Sequence, residues 1–301
     1  MFHFLERQNL ARINLASRAR LCGVLMLMFL APAANAQLYS AGEGRVIYGH
    51  HHINTLDRAA HERFWVDGLG GEHRELGTSG RQVIAFPDVI VMLSDAEPSS
   101  GTRGTVVNHI GFETQDIASD VARLSRLGYA MITREELPAN FEVRDGIGYA
   151  VAGNTIAYVL GPDGVKVELI ENTDIEHKVT MHHVHFSTDE GEAMRAWYVE
   201  HLGAEFGSRI GQPAGQLPNV NLTFAPSAEL PAATQRTVLD HIGFEVENLE
   251  AFCAELEAKG VVFDRPYTEI PALGLAIAFF TDPWGVYVEL TEGLASAIPA
   301  S

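Results

Sequence analysis

The stretch Val107-Asn108-His109-Ile110-Gly111-Phe112-Glu113 returns later in the chain as Leu239-Asp240-His241-Ile242-Gly243-Phe244-Glu245. Each copy is followed by a second shared phrase, Gly164-Val165-Lys166-Val167-Glu168-Leu169 and Gly285-Val286-Tyr287-Val288-Glu289-Leu290. Both phrases alternate apolar with polar residues. In a strand, that period of two sends Ile110 and Phe112 to one face and His109 to the other, and separates Glu168 from Val165, Val167 and Leu169. A histidine and a glutamate are thereby each held on the non-core face of a strand, which is how a sheet presents ligands to a metal.

Working outward from these phrases, the chain from Arg45 onward reads as four similar units, each opening on a strand with a histidine, at His50, His109, His183 and His241. A helix follows in each unit and closes on glycine: Asp57 to Leu69 before Gly70, Asp116 to Leu127 before Gly128, Asp189 to Leu202 before Gly203, and Asn248 to Lys259 before Gly260. The leading Asp or Asn is suited to capping free backbone N–H groups, and the glycine to the left-handed turn that ends a helix. Apolar residues at helical spacing, such as Ile117, Val121, Leu124 and Leu127, give each helix one buried face. Strand-like stretches such as Thr155 to Leu160 and Leu275 to Phe280 come next, separated by Gly, Pro and Asp turns. The longest step between the opening histidines lies between 109 and 183, and the polar segment Glu171 to Lys178 falls within it. That places a linker there and predicts one domain over 45–172 and a second over 180–293.

Four strand-helix-strand-strand-strand modules, with histidine at the start and Gly-Val-x-Val-Glu-Leu at the end, resemble the vicinal oxygen chelate superfamily, which includes glyoxalase I, bleomycin-resistance proteins and extradiol ring-cleaving dioxygenases. The resemblance extends over nearly all of the chain beyond residue 45. It implies an α+β fold of two domains, each made of two paired βαβββ modules in a half-open barrel. Carried over residue by residue, it implies two metal sets: His50, His109 and Glu168 in the first domain, and His183, His241 and Glu289 in the second. Aligning the modules on their closing glycines selects His50 over its neighbours and sends His51 toward the helix side. A fourth ligand, present in glyoxalase I, falls here on Met92 and Thr223, neither suited to a hard divalent ion. The implied centre is a set of two imidazoles and one carboxylate with open positions, which inclines toward the oxygen-activating branch.

Strand parity puts further residues on the same face. His52 and His185 stand where the other two modules have Gly111 and Gly243, and are candidates for moving protons beside the metal, with simple packing as the alternative. Glu113, Glu245, Lys166 and Tyr287 share that face. The extradiol signature survives as Asp282-Pro283-Trp284-Gly285 with Glu289, and in weaker form as Gly161-Pro162-Asp163-Gly164 with Glu168. Its tyrosine is Tyr158 in one copy and Phe279 in the other, while its upstream histidine is absent from both.

Composition fits this reading. With 47% apolar and 20% charged residues among 301, the chain has the balance of a packed protein. Residues 1–36 read as a secretory signal peptide: Arg7, Arg12, Arg18 and Arg20 precede the apolar run from Leu21, and Ala34-Asn35-Ala36 predicts cleavage before Gln37. Leu21 to Ala34 is shorter than the roughly 20 apolar residues that a membrane span requires. Export makes the expected location periplasmic or extracellular. Loss of a basic leader leaves the remainder more acidic than the formal −18 of the whole chain, so nucleic acid and anionic membrane surfaces are not expected partners. Cys22 leaves with the leader, and the remaining Cys253 excludes an internal disulfide.

Two functional hypotheses arise from these features. One is an exported enzyme that uses a divalent metal (Fe2+, Mn2+ or Zn2+) to hold a small substrate by two adjacent oxygens, as an extradiol-type dioxygenase or as a glyoxalase-like lyase or isomerase. The other is a bleomycin-resistance-like protein that binds a ligand without chemistry. The irregular segments Arg134 to Gly148 and Arg209 to Pro218 are expected to line the cleft, and a homodimer is left open.

Overall fold

The histidine-bearing stretches become long strands because apolar and polar side chains alternate through them, giving each strand one face for the core and one for a cleft. In the computed structural model, which describes residues 46–150 and 153–298, three of the four repeats take the expected form, and the second adds two strands and a short helix to it. The first contains β1 (Val46–Thr55), α1 (Arg58–Glu62), β2 (Glu72–Leu76), β3 (Arg81–Ala85) and β4 (Ile90–Asp95). The second contains β5 (Val107–Thr114), α2 (Ile117–Arg126), β6 (Ala130–Met131), α3 (Thr133–Glu136), β7 (Glu142–Arg144), β8 (Ile147–Tyr149), β9 (Thr155–Leu160) and β10 (Lys166–Glu171). The third contains β11 (Val179–Ser187), α4 (Gly191–Leu202), β12 (Glu205–Arg209), β13 (Gln212–Leu217) and β14 (Val220–Ala225). The fourth contains β15 (Leu239–Val246), α5 (Leu249–Ala258), β16 (Phe263–Ile270), β17 (Leu275–Thr281), β18 (Tyr287–Glu292) and the short α6 (Leu294–Ala297). The expected leader lies outside the described residues, and among those no helix is long and apolar enough to cross a membrane.

Capping follows the sequence in three of the four modules. Asp57, Asp116 and Asn248 accept hydrogen bonds from the backbone N–H of Ala60, Ser119 and Ala251. Asp189 does not cap, because α4 begins at Gly191 with Glu190 at its N-cap and no side-chain bond there. The helix expected over Asp57 to Leu69 widens into a π-turn at Arg63–Gly68. That turn buries Phe64 and Trp65 completely.

The strands assemble into two open sheets, in the orders β16-β17-β18-β15-β1-β4-β3-β2 and β12-β13-β14-β11-β5-β10-β9-β8-β7, with β6 paired to β9. Within every module the opening strand runs parallel to the last one: β1 with β4, β5 with β10, β11 with β14 and β15 with β18. Between modules the opening strands pair antiparallel, β1 with β15 and β5 with β11. The first module therefore joins the fourth, and the second joins the third. This corrects the expected grouping into 45–172 and 180–293. All four opening strands present the same pattern of faces, so repetition alone does not say which two will pair, and the nested arrangement forms through contacts distant in sequence.

The apolar faces of both sheets share one core, in which Tyr48, Trp65, Phe86 and Phe112 meet, Phe86 and Phe112 with ring centroids 5.0 Å apart. His51 lies in that core as expected, its Nδ1 2.7 Å from the Tyr48 hydroxyl. Two buried polar side chains tie one sheet to the other. Asn219 accepts from the Tyr48 N–H and donates to the Tyr48 carbonyl, both at 2.8 Å. Asp88 accepts from the Met181 N–H at 2.9 Å. Burial pushes the Asp88 carboxyl up to about 7 although the Met181 N–H works to lower it.

Phe112→Ala should cost about 3–5 kcal/mol in urea unfolding, the range for emptying a fully buried aromatic site, while Leu230→Ala at a 93% exposed position should change stability by less than about 0.5 kcal/mol. Because the Asp88 carboxyl is easier to protonate in the folded chain, its contribution is fully present below about pH 4 and is lost as pH rises through about 7. Wild-type stability should thus decline relative to Asp88→Asn between about pH 4 and about pH 7, and parallel pH profiles for the two proteins would refute this.

Candidate metal centres

The strand pairing brings together the six residues singled out as ligands, in groupings that differ from those expected. His50 on β1 meets His241 on β15 and Glu289 on β18, and does not share a site with His109 and Glu168. His109 on β5 meets His183 on β11 and Glu168 on β10. In the first centre the Nε2 atoms of His50 and His241 each lie 2.9 Å from Glu289 Oε2. In the second, Glu168 Oε2 stands 2.9 Å from His109 Nε2 and 3.0 Å from His183 Nε2, with the two nitrogens 3.3 Å apart. All six side chains are buried.

These spacings suit a shared cation. Donors about 2.1 Å from a metal on adjacent corners of an octahedron stand about 3.0 Å apart. The protonation states point the same way. Asn108 Oδ1 lies 3.0 Å from His109 Nδ1, placed to accept a hydrogen bond from it, and burial drives the His109 imidazole down to about 3, so the ring is neutral. Burial works to raise Glu168, but His183 and His109 outweigh it and hold the carboxyl well below its usual range. A neutral imidazole and a carboxylate are the protonation states a divalent cation requires of such ligands.

The first centre is built alike, with Asp240 in the role of Asn108: its carboxylate accepts from His241 Nδ1 at 2.8 Å. Burial alone would lower His241, but Asp240 and Glu289 outweigh it and raise its pKa. In the second centre His183 Nδ1 is also engaged, 2.8 Å from His182 Nδ1. The matching His50 Nδ1 is buried without a hydrogen-bond partner, so the second centre has both of its imidazoles oriented from behind and the first has one. Such partners fix ring orientation and tautomer at metal sites. Asn108, Asp240 and His182 were missed in the sequence, although each directly precedes a ligand, and a polar residue at that place is the signal they leave.

Glycine makes the convergence possible. His50 faces Gly243 across the β1–β15 pair and His183 faces Gly111 across β5–β11. A methyl built on either glycine would overlap the facing imidazole. His52 and His185 lie opposite His241 and His109 and stack against them, each at 4.3 Å between ring centroids. His52 Nε2 contacts Ser94 Oγ at 2.6 Å, which favours packing for this residue, and the Nδ1 atoms of both His52 and His185 are buried without a hydrogen-bond partner. Tyr158 lies across from Glu168 on β9, its ring 5.5 Å from that of His109, and Phe279 takes the matching place beside Glu289. Met92 and Thr223 pair in register with His52 and His185, so the fourth position lacks a carboxylate in both centres.

The two centres differ at their mouths. Glu245 accepts hydrogen bonds from the N–H groups of Gly293 and Leu294, turning the C-terminal segment back onto its own sheet. Leu294, Ala297 and Ile298 then pack on Leu76, Val83, Ile90, Met92 and Leu275. Ile90 and Met92 pair with His50 and His52, so this turn covers the face that carries the first centre. The matching Glu113 binds Asn172 instead, at 3.0 Å, and the chain continues into β11. The second centre consequently opens into a cleft of about 950 Å³, lined in part by Tyr158, Glu168, His182 and Arg209. The segments expected to be irregular around it are ordered: 134–148 contains β7 and most of β8, and Arg209 to Pro218 forms most of the β12–β13 hairpin.

Gly111→Ala is expected to drive the His183 ring out of the second centre and weaken uptake of a divalent ion there about 10- to 100-fold by equilibrium dialysis, leaving the first centre unchanged; Gly243→Ala should do the converse. Unchanged affinity in both variants would show that the rings need not meet.

Residues 180–290 match the family model of the Glyoxalase/Bleomycin resistance protein/Dioxygenase superfamily. Over 169 residues the chain is 25% identical to lactoylglutathione lyase of Schizosaccharomyces pombe, a match covering 46% of this chain and 54%, about half, of that protein's length. Among solved structures, glyoxalase I from Zea mays superposes with a TM-score of 0.62 at 16% identity, covering 83% of this chain and 94% of that one. A candidate dioxygenase from Bacillus subtilis gives 0.58 at 11% identity, covering 83% and 86%. At these identities the two structures show a common fold. Residues 180–290 therefore match the glyoxalase, bleomycin-resistance protein and dioxygenase superfamily, and the chain shares its fold with glyoxalase I.

Proposed function

We propose that this protein is an exported metal-dependent enzyme that binds a small substrate through two adjacent oxygens, with the His109, His183 and Glu168 centre carrying out an extradiol-type dioxygenation. The carrying observation is the donor set: two imidazoles and one carboxylate converge within 3.3 Å of one another, and Thr223 stands where a fourth, anionic ligand would otherwise close the site. A set with open positions leaves room for substrate and oxygen together. The open cleft on this side, against the covered face of the other sheet, favours the second centre for turnover.

Each residue has a part that its surroundings define. Glu168, His109 and His183 would hold the ion, Fe2+, Mn2+ or Zn2+, which when bound supplies Lewis acidity to the adjacent oxygens of the substrate. Asn108 and His182 keep the two imidazoles turned toward it. Burial, reinforced by Glu168, raises the Tyr158 phenol well above its usual range, so it remains a hydrogen-bond donor for a bound substrate oxygen. Burial also holds His185 well below the ordinary imidazole range, leaving a neutral ring stacked on His109. A lyase or isomerase is the second reading. It is favoured by the similarity to lactoylglutathione lyase and would assign His185 as the base.

Protein isolated from the periplasm should contain bound divalent metal and consume oxygen with catechols. His109→Ala should lower that rate by at least about 100-fold. Metal-dependent turnover of a 2-oxoaldehyde–thiol adduct with no oxygen consumption would replace the dioxygenase by the isomerase, and absence of metal with retained ligand binding would leave a binding protein. The grouping of ligands is tested separately by stoichiometry. His109→Ala/His183→Ala should lose one centre and keep the other, while His50→Ala/His109→Ala should lose both. The reverse pattern would reinstate the grouping by sequence neighbours.

A further inference from the structure

One cationic group beside the second centre has no structural role that uses all of it. Arg209 ends β12 with its side chain only 12% exposed, and its Nη2 lies 3.5 Å from Glu168 Oε1, the carboxylate oxygen turned away from His109 and His183. Its Nη1 is buried without a hydrogen-bond partner. A guanidinium nitrogen removed from water and left unsatisfied is costly, and the usual compensation is an acceptor supplied from outside.

The cleft around it fits an anion at that point. Among the described residues lining the cleft, Arg209 is the one Lys or Arg. Of the acids that line the cleft, Glu136 is paired with Lys166 at 2.7 Å and Arg103 at 3.0 Å and Glu113 accepts from Asn172, while Glu171 also lines it. Comparison of the two centres provides an independent observation. The register that matches His183 with His50 and Gly203 with Gly70 also matches Arg209 with Leu76, and Leu76 is buried in the apolar cluster beneath the C-terminal turn. Where the cleft is covered this position is apolar, and where it is open the position carries a guanidinium.

We propose that Arg209 is a specificity-determining residue, gripping a carboxylate of the substrate immediately beside the two oxygens that face the His109, His183 and Glu168 centre. The assignment rests on the proposed chelating function and narrows its substrate to a carboxylate-bearing one. Arg suits the task because its planar fork meets a carboxylate with two parallel hydrogen bonds, and its weak hydration makes burial tolerable between substrates.

The test uses zinc-loaded full-length protein and two probes that differ only by the anion, catechol and 2,3-dihydroxybenzoate, with dissociation constants from calorimetry. Wild type should bind the carboxylated probe about 10- to 100-fold more tightly, the range for a charge-assisted pair in a sheltered site. Arg209→Gln should abolish that preference, and Arg209→Lys should restore part of it. Equal binding of both probes by wild type, or a preference that survives in Arg209→Gln, overturns the assignment while leaving the chelating function intact. Zinc-loaded protein that binds neither probe overturns the chelating function and the Arg209 assignment with it.

Discussion

An imidazole resting on a glycine is the contact on which the rest of this structure depends. His50 over Gly243 and His183 over Gly111 are cross-strand pairs in which one residue supplies the ring and the other supplies the room. Only with that room can two imidazoles on neighbouring strands turn inward to the same carboxylate oxygen. The carboxylate arrives from a third strand, parallel to one of the two and fixed in register by it, as Glu168 is opposite Gly111 and Glu289 opposite Gly243. Strand register thus determines the geometry of each centre, and one glycine per sheet permits it. The same glycine meets the glutamate on one side and the histidine on the other.

Built on one plan, the two centres are not equivalent. The second has both imidazoles held from behind, by Asn108 and His182, and a cleft in front. The first has Asp240 behind His241 but nothing on His50 Nδ1, and the C-terminal turn lies over its sheet. The divergence traces to the route of the chain beyond the last strand of each module. After β10 the chain must travel on to β11. After β18 it turns at Gly293, with φ of 93°, and folds onto the apolar side chains of β4. Glu245 and Glu113 are matching residues with different partners for that reason alone: one anchors the returning backbone, and the other is left at the rim of an open cleft.

The location of the buried carboxylates is consistent with this division. Glu168 and Glu289 are held below the ordinary carboxylate range by flanking imidazoles in spite of burial. Asp88, which faces a backbone N–H and no cation, is pushed the other way. Burial acts in the same direction on all three, and the neighbouring charge decides the outcome.

The sequence by itself determined the repeating module, the face on which each histidine and glutamate lies, and the six residues that converge. These are local properties: alternation sets faces, and caps and closing glycines set helix ends at Asp57, Asp116 and Asn248. It also carried the absence of a carboxylate at Met92 and Thr223, since register within a module comes from its own strands. Only the tertiary structure decided which modules pair, and hence that His50 belongs with His241 and Glu289 and not with His109. Four opening strands with the same pattern of faces leave several pairings open, and a repeat does not distinguish among them. Arg209 and the turn at Leu294 to Ile298 were beyond reading for a related reason. Their positions relative to the centres depend on the path the chain takes after its strands end, and that path is set by packing between residues far apart in the sequence.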